Sequence, residues 1–140
     1  MAKNIPVSKN NNYKVAIIAI HGWKGNLSSM GHVANALNIK YAQWTFIQGP
    51  YAAGDNKYSW FERNEEDGWK YQESFDLLHK TILDINQNGF PKSKIFLLGF
   101  SQGACLAMEF IIRQKFSRGG IIPIAGCVGK REKCNSGIVE

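Results

Sequence analysis

The residue best suited to chemistry in this sequence is a serine between two glycines. Ser101 is the centre of Gly-Phe-Ser-Gln-Gly at positions 99–103, after the apolar run Ile95–Leu98 and before an apolar pattern over Gln102–Phe116. This order predicts a buried strand, a sharp turn and a helix, and such a turn holds the serine hydroxyl clear of the sheet. We therefore predict that Ser101 is a nucleophile; the alternative is an ordinary glycine-flanked turn with an idle serine.

A serine hydroxyl attacks a carbonyl only with help from other groups. A base must take its proton, a third group must orient that base, and backbone amides must stabilise the oxyanion. The amide that follows the nucleophile belongs to Gln102, and a second amide is expected from the first strand-to-helix loop, most simply that of Trp23. We predict that these two amides form an oxyanion hole.

The first half of the chain contains the elements that would position this loop. Tyr13–Ile20 is a continuous apolar run, typical of a strand buried on both faces of a parallel sheet. The glycine-containing loop His21–Asn26 follows and could hold an anion, and Ser28 and Ser29 are expected to cap a short helix. Trp44–Gln48, with its aromatic and β-branched residues, predicts the next strand, and Gly49 and Pro50 end it.

The second half predicts two more helices and one more strand. Apolar residues recur at helical spacing from Tyr71 to Ile85, and Asn88 with Gly89 ends this helix. Residues 119–126 follow the nucleophile helix as a further buried strand, while Ile5–Val7 could add a short edge strand at the start. Strands that alternate with helices imply a three-layer α/β fold with a parallel sheet and right-handed crossovers.

A long aromatic segment lies between the second clear strand and the helix that starts near Tyr71. We interpret Tyr51–Asp67 as a loop, and its aromatic content argues against disorder. Tyr58, Trp60 and Phe61 are candidate substrate-binding residues in a flap beside the nucleophile. Plain packing of Trp60 and Phe61 in the core is an equally good interpretation of the sequence.

Composition limits the class of protein. The chain of 140 residues predicts one domain, residues 1–140, and its longest apolar run, Val15–Ile20, is too short to span a bilayer. The polar start lacks the apolar core of a signal peptide, so we expect a cytoplasmic protein without stable membrane insertion. Three cysteines without a CxxC pair predict free thiols, and the net charge of +6 is too scattered to indicate nucleic-acid binding.

Three motifs together resemble those of the α/β-hydrolase superfamily, specifically its carboxylesterase, phospholipase and acyl-protein thioesterase group. They are Ile-His-Gly-Trp-Lys-Gly-Asn at 20–26, Tyr-Ser-Trp-Phe-Glu at 58–62 and Gly-Phe-Ser-Gln-Gly at 99–103. The resemblance extends from Val15 to Gly126. It implies hydrolysis of small or lipid-like carboxylic esters or thioesters through an acyl-serine, without a metal or other cofactor.

The sequence departs from this family pattern in its catalytic triad. The family order is serine, then an acid, then histidine, yet no histidine follows Ser101 and the later acids are Glu109, Glu132 and Glu140, none at the expected position. His21 resembles the loop histidine that shapes the oxyanion hole rather than the base. We therefore expect this chain to be the N-terminal part of a longer hydrolase, weak or inactive as given, with the acid and histidine beyond Glu140.

Two other functions are compatible with the sequence. A binding or scaffolding module could keep the apolar pocket and lack the chemistry. A nucleotide-binding protein is less consistent with the sequence, since it has neither Gly-x-Gly-x-x-Gly nor the phosphate-binding Gly-x-x-x-x-Gly-Lys-Ser/Thr loop. The oligomeric state is not indicated by any pattern.

Overall fold

A computed structural model describes residues 12–114 and 119–126 of the protein. Its centre is a four-stranded parallel sheet in the order β2-β1-β7-β8. The strands are β1 (Val15–Ile20), β2 (Ala42–Ile47), β7 (Ile95–Phe100) and β8 (Gly120–Ile124). Every strand therefore ends at the same edge of the sheet, and the loops that follow β1 and β7 are neighbours there.

Helices and two short hairpins connect these strands. The helices are α1 (Gly31–Leu37), α2 (Gln72–Gln87) and α3 (Gln102–Gln114), and Lys92–Lys94 forms one turn of 3₁₀ helix. The hairpins pair β3 (Tyr51–Ala52) with β4 (Tyr58–Ser59), and β5 (Glu62–Asn64) with β6 (Gly68–Lys70). Both hairpins lie between β2 and α2, directly before the helix that covers one face of the sheet.

The core has two parts, one on each face of the sheet. Side chains alternate along a strand, so Ala16, Ile18 and Ile20 of β1 face α2 and α3, whereas Ile17 and Ala19 face the side of α1. Phe75 of α2 meets Phe110 of α3 edge to face, with ring centroids 5.2 Å apart. The result is the predicted three-layer arrangement of helices on a parallel sheet.

Several sequence predictions need correction. Tyr51–Asp67 is not a loop, because short strands pair within it. Ser28 and Ser29 do not cap α1: Met30 is its N-cap residue, and the Ser29 hydroxyl accepts the Asn26 N–H at 2.9 Å in the preceding turn. β1 begins at Val15, two residues after the predicted start at Tyr13. β2 begins at Ala42, two residues before the predicted start at Trp44.

Some predictions concern residues that the structure does not describe. The edge strand proposed at Ile5–Val7, the end of the nucleophile helix at Phe116 and the acids Glu132 and Glu140 all lie outside the described residues. Among the residues that are described, no helix has the length and apolar character needed to cross a membrane.

Candidate active site

Ser101 lies at the turn between β7 and α3 in a strained conformation. Its φ is +52°, in the left-handed region that residues with a Cβ rarely adopt. Its amide donates to the Ile124 carbonyl at 2.8 Å, and its carbonyl accepts the amides of Ala104 at 3.0 Å and Cys105 at 3.1 Å. The main chain of the turn is thus fixed on both sides, and the half-buried side chain lies at the carboxyl edge of the sheet.

The two glycines of the pentapeptide make this turn possible. A Cβ on Gly99 would lie closer than 3.0 Å to the backbone of Gly103 and Ala104, so it would collide with the start of α3. A Cβ on Gly103 would lie equally close to the carbonyl oxygens of Ile20 and His21. The helix therefore begins in direct contact with the end of β1, which requires glycine at both positions.

The loop His21–Asn26 lies beside Ser101. A Cβ built on Gly22 would be 3.5 Å from Ser101 Cβ and 3.2 Å from the Phe100 ring, which shows how closely the loop approaches the turn. The next residue is Trp23, and the structure gives its amide no acceptor within residues 12–114 and 119–126.

Gln102 supplies the second predicted amide at the start of α3. The amides of the first turn of a helix form the positive end of the helix dipole. The Gln102 main chain thus extends from the serine turn, while Trp23 approaches from the adjacent loop. The structure brings the three predicted residues Ser101, Trp23 and Gln102 to one edge of the sheet.

His21 is held by both of its ring nitrogens. The Gly49 amide donates to its Nε2 at 3.0 Å, so Nε2 is unprotonated and Nδ1, 2.6 Å from the Gly22 carbonyl, carries the proton. Desolvation in the core lowers the pKa of His21 below its ordinary 6.5, although the bond to Gly22 opposes this shift. A neutral, fully buried imidazole with both nitrogens engaged positions the loop and does not act as the base.

This burial makes stability depend on pH. The unfolded chain takes up a proton on His21 near pH 6.5, whereas the folded chain does so only at lower pH, so stability falls as pH decreases through 6.5. We expect the free energy of unfolding to fall by up to about 1.4 kcal/mol for each pH unit in that range. Urea unfolding at pH 7.5 and 5.5 measures this change. His21→Gln should reduce the slope. An unchanged slope in His21→Gln would contradict this assignment.

The aromatic residues predicted as a flap occupy different environments. Trp60 is 0% exposed and Phe61 is 7% exposed, so both belong to the core. The Trp60 ring lies 4.8 Å from the His21 ring, and its indole N–H donates to the His21 carbonyl at 2.7 Å. The side chains of Trp60 and Phe61 are covered, so this placement favours core packing over substrate contact for both. Tyr58 is half-buried, and its contact with a substrate stays a prediction.

Sequence reasoning missed the side chain of Gln102. It is 1% exposed and reaches across to the segment after β4, where its Oε1 accepts the Trp60 N–H at 2.9 Å. Its Nε2 lies 3.0 Å from Ser59 Oγ, whose own proton is directed to the Phe61 carbonyl at 2.6 Å. These partners are 42 and 43 residues away in sequence, and no local pattern indicates such a contact.

No base for Ser101 is present among the described residues. The structure shows no hydrogen bond between the Ser101 hydroxyl and a histidine or carboxylate there, and the other two histidines lie on helices. His79 packs on the Phe110 ring at 4.8 Å, as expected for a histidine at the edge of α2. Glu109 pairs with Arg113 at 2.8 Å along α3, and no group of three potential metal ligands occurs in the described part of the chain.

A parallel α/β sheet with a strained serine turn after a central strand and an amide-bearing loop after its neighbour defines an α/β-hydrolase fold. A sequence profile of the phospholipase/carboxylesterase family matches residues 2–139, and the chain belongs to that family. A search among curated proteins finds no match to the chain.

Several solved structures share this fold. SOBER1 from Arabidopsis thaliana superimposes with a TM-score of 0.67 at 20% identity, over 81% of this chain and 62% of its own. A carboxylesterase from Mesorhizobium loti gives a TM-score of 0.67 at 15% identity, over 80% and 55%. A phospholipase/carboxylesterase from Dyadobacter fermentans gives a TM-score of 0.63 at 25% identity, over 91% of this chain and 59% of its own. The chain thus spans less than two thirds of the length of each of these proteins.

Proposed function

We propose that this chain carries the nucleophile and oxyanion hole of a serine esterase that acts on carboxylic esters or thioesters. The observation that carries the proposal is the left-handed turn at Ser101, pressed against the loop that holds the Trp23 amide. That geometry has a conformational cost, and strain of this kind is typical of a site that must present a reactive group.

In the proposed reaction, Ser101 Oγ attacks the carbonyl carbon and the hydroxyl proton passes to a base. The carbonyl oxygen becomes an oxyanion and accepts hydrogen bonds from the amides of Trp23 and Gln102. The carbon–oxygen or carbon–sulfur bond to the leaving group then breaks, and the leaving alcohol or thiol takes the proton. Water hydrolyses the acyl-serine by the same steps and regenerates the hydroxyl.

The proposal assigns the base and its orienting acid to residues other than those described, because neither His21 nor Glu109 is placed to act on Ser101. Without these groups, water has to accept the proton. Hydrolases that lack a triad member keep a rate about 10³ to 10⁴ above that in water, from binding and the oxyanion hole. We therefore propose that this chain reacts slowly with activated esters.

Exposed aromatic groups near the turn favour an apolar substrate. Trp23 is 39% exposed and Phe100, which contacts the Gly22 position, is 43% exposed. Such surfaces contribute about 25 cal/mol for each Å² of apolar area that a ligand covers. An ester with a small apolar acyl group satisfies both the oxyanion hole and these rings.

Reaction with p-nitrophenyl acetate tests the proposal. We expect the protein to release one equivalent of p-nitrophenol per chain, with a rate about 10³ above the reaction in buffer, and to gain one acetyl group at Ser101 by mass spectrometry. Ser101→Ala should not gain the acetyl group, whereas Ser93→Ala, at an exposed position before β7, should gain it as the wild type does. A wild-type protein without acetylation at Ser101, or the same acetylation in Ser101→Ala, would refute the proposal.

A further inference from the structure

The segment Tyr58–Phe61, which we call the brace, is bonded to the loop that contains Trp23. The Lys24 amide donates to the Tyr58 carbonyl at 2.9 Å, and the Tyr58 amide donates to the Gly25 carbonyl at 2.9 Å. These two bonds make an isolated antiparallel bridge between Gly25 and Tyr58. They hold the loop on the C-terminal side of Trp23, and the Gly25 amide in turn donates at 3.0 Å to the Gly22 carbonyl, which belongs to the same peptide unit as the Trp23 amide.

The brace also holds the N-terminal side of the same loop. The Trp60 indole donates to the His21 carbonyl at 2.7 Å. Trp60 is itself immobilised, because its side chain is 0% exposed and its carbonyl accepts the buried Ser74 hydroxyl at 2.7 Å. The loop is therefore tied at both ends to one segment that is anchored in the core.

The opposite side of the brace is bonded to the nucleophile turn through the Gln102 side chain. Its Oε1 accepts the Trp60 amide, and its Nε2 donates to Ser59 Oγ. The Trp60 amide can only donate, so the Gln102 amide group is held with Oε1 toward it and Nε2 toward Ser59 Oγ, which lies 2.6 Å from the Phe61 carbonyl and 3.2 Å from Oε1. An uncharged side chain with one donor and one acceptor is required at this buried position.

Two amides on different loops are thus connected through a single rigid segment. We infer that the brace sets the separation of the Trp23 and Gln102 amides, and that the Gln102 side chain is a positioning residue for the oxyanion hole. This inference rests on the proposed function for its catalytic meaning. A displacement of about 1 Å at a reacting centre can cost about 10²-fold in rate, so a modest loosening is measurable.

Gln102→Met tests the inference because it removes the polar contacts and keeps both the backbone amide and a similar side-chain volume. We expect the acylation rate constant with p-nitrophenyl acetate to fall at least about tenfold, with little change in the half-saturating ester concentration. We also expect hydrogen exchange of the Lys24 amide, measured by NMR, to accelerate at least about tenfold, since that amide depends on the brace.

Thr81→Val is the matched control. Its hydroxyl is buried and donates to the Leu77 carbonyl at 2.7 Å within α2, so its loss removes a buried hydrogen bond away from the brace. This variant should leave the acylation rate constant and the Lys24 exchange near wild-type values. If Gln102 only stabilised the fold, Gln102→Met and Thr81→Val would change the acylation rate constant and the Lys24 exchange equally whenever they lose the same free energy of unfolding.

The outcomes separate the two proposals. Equal acylation by the wild type and Ser101→Ala would overturn the proposed function, while Lys24 exchange would still test the brace. Wild-type acylation and exchange in Gln102→Met would overturn the inference. If Gln102→Met does not fold, Ser59→Ala removes the partner of the same contact and should reproduce both effects; wild-type behaviour in Ser59→Ala would then overturn it.

Discussion

Gly103→Val is expected to abolish cooperative folding. Any Cβ at this position collides with the carbonyl oxygens of Ile20, the last residue of the central strand β1, and of His21 directly after it. Ile20 is paired on both sides in the sheet and cannot move independently of it. Overpacking of a core costs about 1 to 3 kcal/mol when side chains can adjust, and a backbone clash costs more. A typical domain has only about 5 to 15 kcal/mol of stability in total.

Gly103→Ala and Gly31→Ala provide a matched comparison by urea unfolding. Gly103→Ala should reduce the free energy of unfolding by at least about 3 kcal/mol. It should also displace the start of α3 and thereby reduce acylation of Ser101. Gly31 opens α1 with nothing within 4 Å of a built Cβ, so alanine there should be neutral or stabilising by up to about 1 kcal/mol. Equal stability of the two variants would show that α3 and β1 are not in the close contact described.

Trp60→Ala is expected to produce the second largest loss of stability. Truncation of a buried aromatic side chain to alanine typically costs about 3 to 5 kcal/mol. Here it also removes the donor to the His21 carbonyl, and an unsatisfied buried polar group costs about 1 to 3 kcal/mol. Trp60→Phe retains most of the apolar volume, so its loss of stability reports mainly the missing hydrogen bond to the His21 carbonyl.

Urea unfolding of both variants at pH 7.5 gives the measurement, and Ile112→Ala is the control. Ile112 is 62% exposed on α3, so its truncation should change the free energy of unfolding by less than about 0.5 kcal/mol. A loss in Trp60→Ala no larger than this would mean that the ring contacts solvent or substrate, as the flap interpretation of the sequence proposed.

The sheet and its nucleophile turn were predictable because their signals are local. Continuous apolar runs at Val15–Ile20 and Ile95–Leu98 allow little besides buried parallel strands. The pentapeptide signals the turn within five residues, and Gly99 is required by its contact with the start of α3, although the contact that requires Gly103 is with Ile20 and His21. The α2 stripe was equally clear, since its apolar spacing repeats over four turns. These predictions are confirmed by the sheet order and by the family to which the chain belongs.

The hairpins between β2 and α2 were not predictable, because strands of two or three residues have no measurable alternation. The serines at 28 and 29 looked like helix caps, yet the side chain of Asn26 engages this turn first, and its Oδ1 accepts both the amide and the hydroxyl of Ser28. Local hydrogen bonds of this type compete with helix starts, and sequence does not say which of them prevails.

The flap hypothesis had a different weakness. Aromatic residues after a strand suit both a substrate surface and a core, and the choice depends on what the polar atoms meet. The Trp60 indole meets the His21 carbonyl, 39 residues away, and its backbone amide meets Gln102 at a separation of 42 residues. Such separations are set by the tertiary fold, so the environment of the brace required a structure.

The contacts of Gln102 also bear on how this protein can be altered in the laboratory. Randomising position 102 alone would yield mostly damaged variants, because Ser59 and the Trp60 amide require both a donor and an acceptor from that side chain. Libraries that vary positions 59 and 102 together can exchange the pair as a unit. In natural relatives the same dependence would appear as covariation between these two positions.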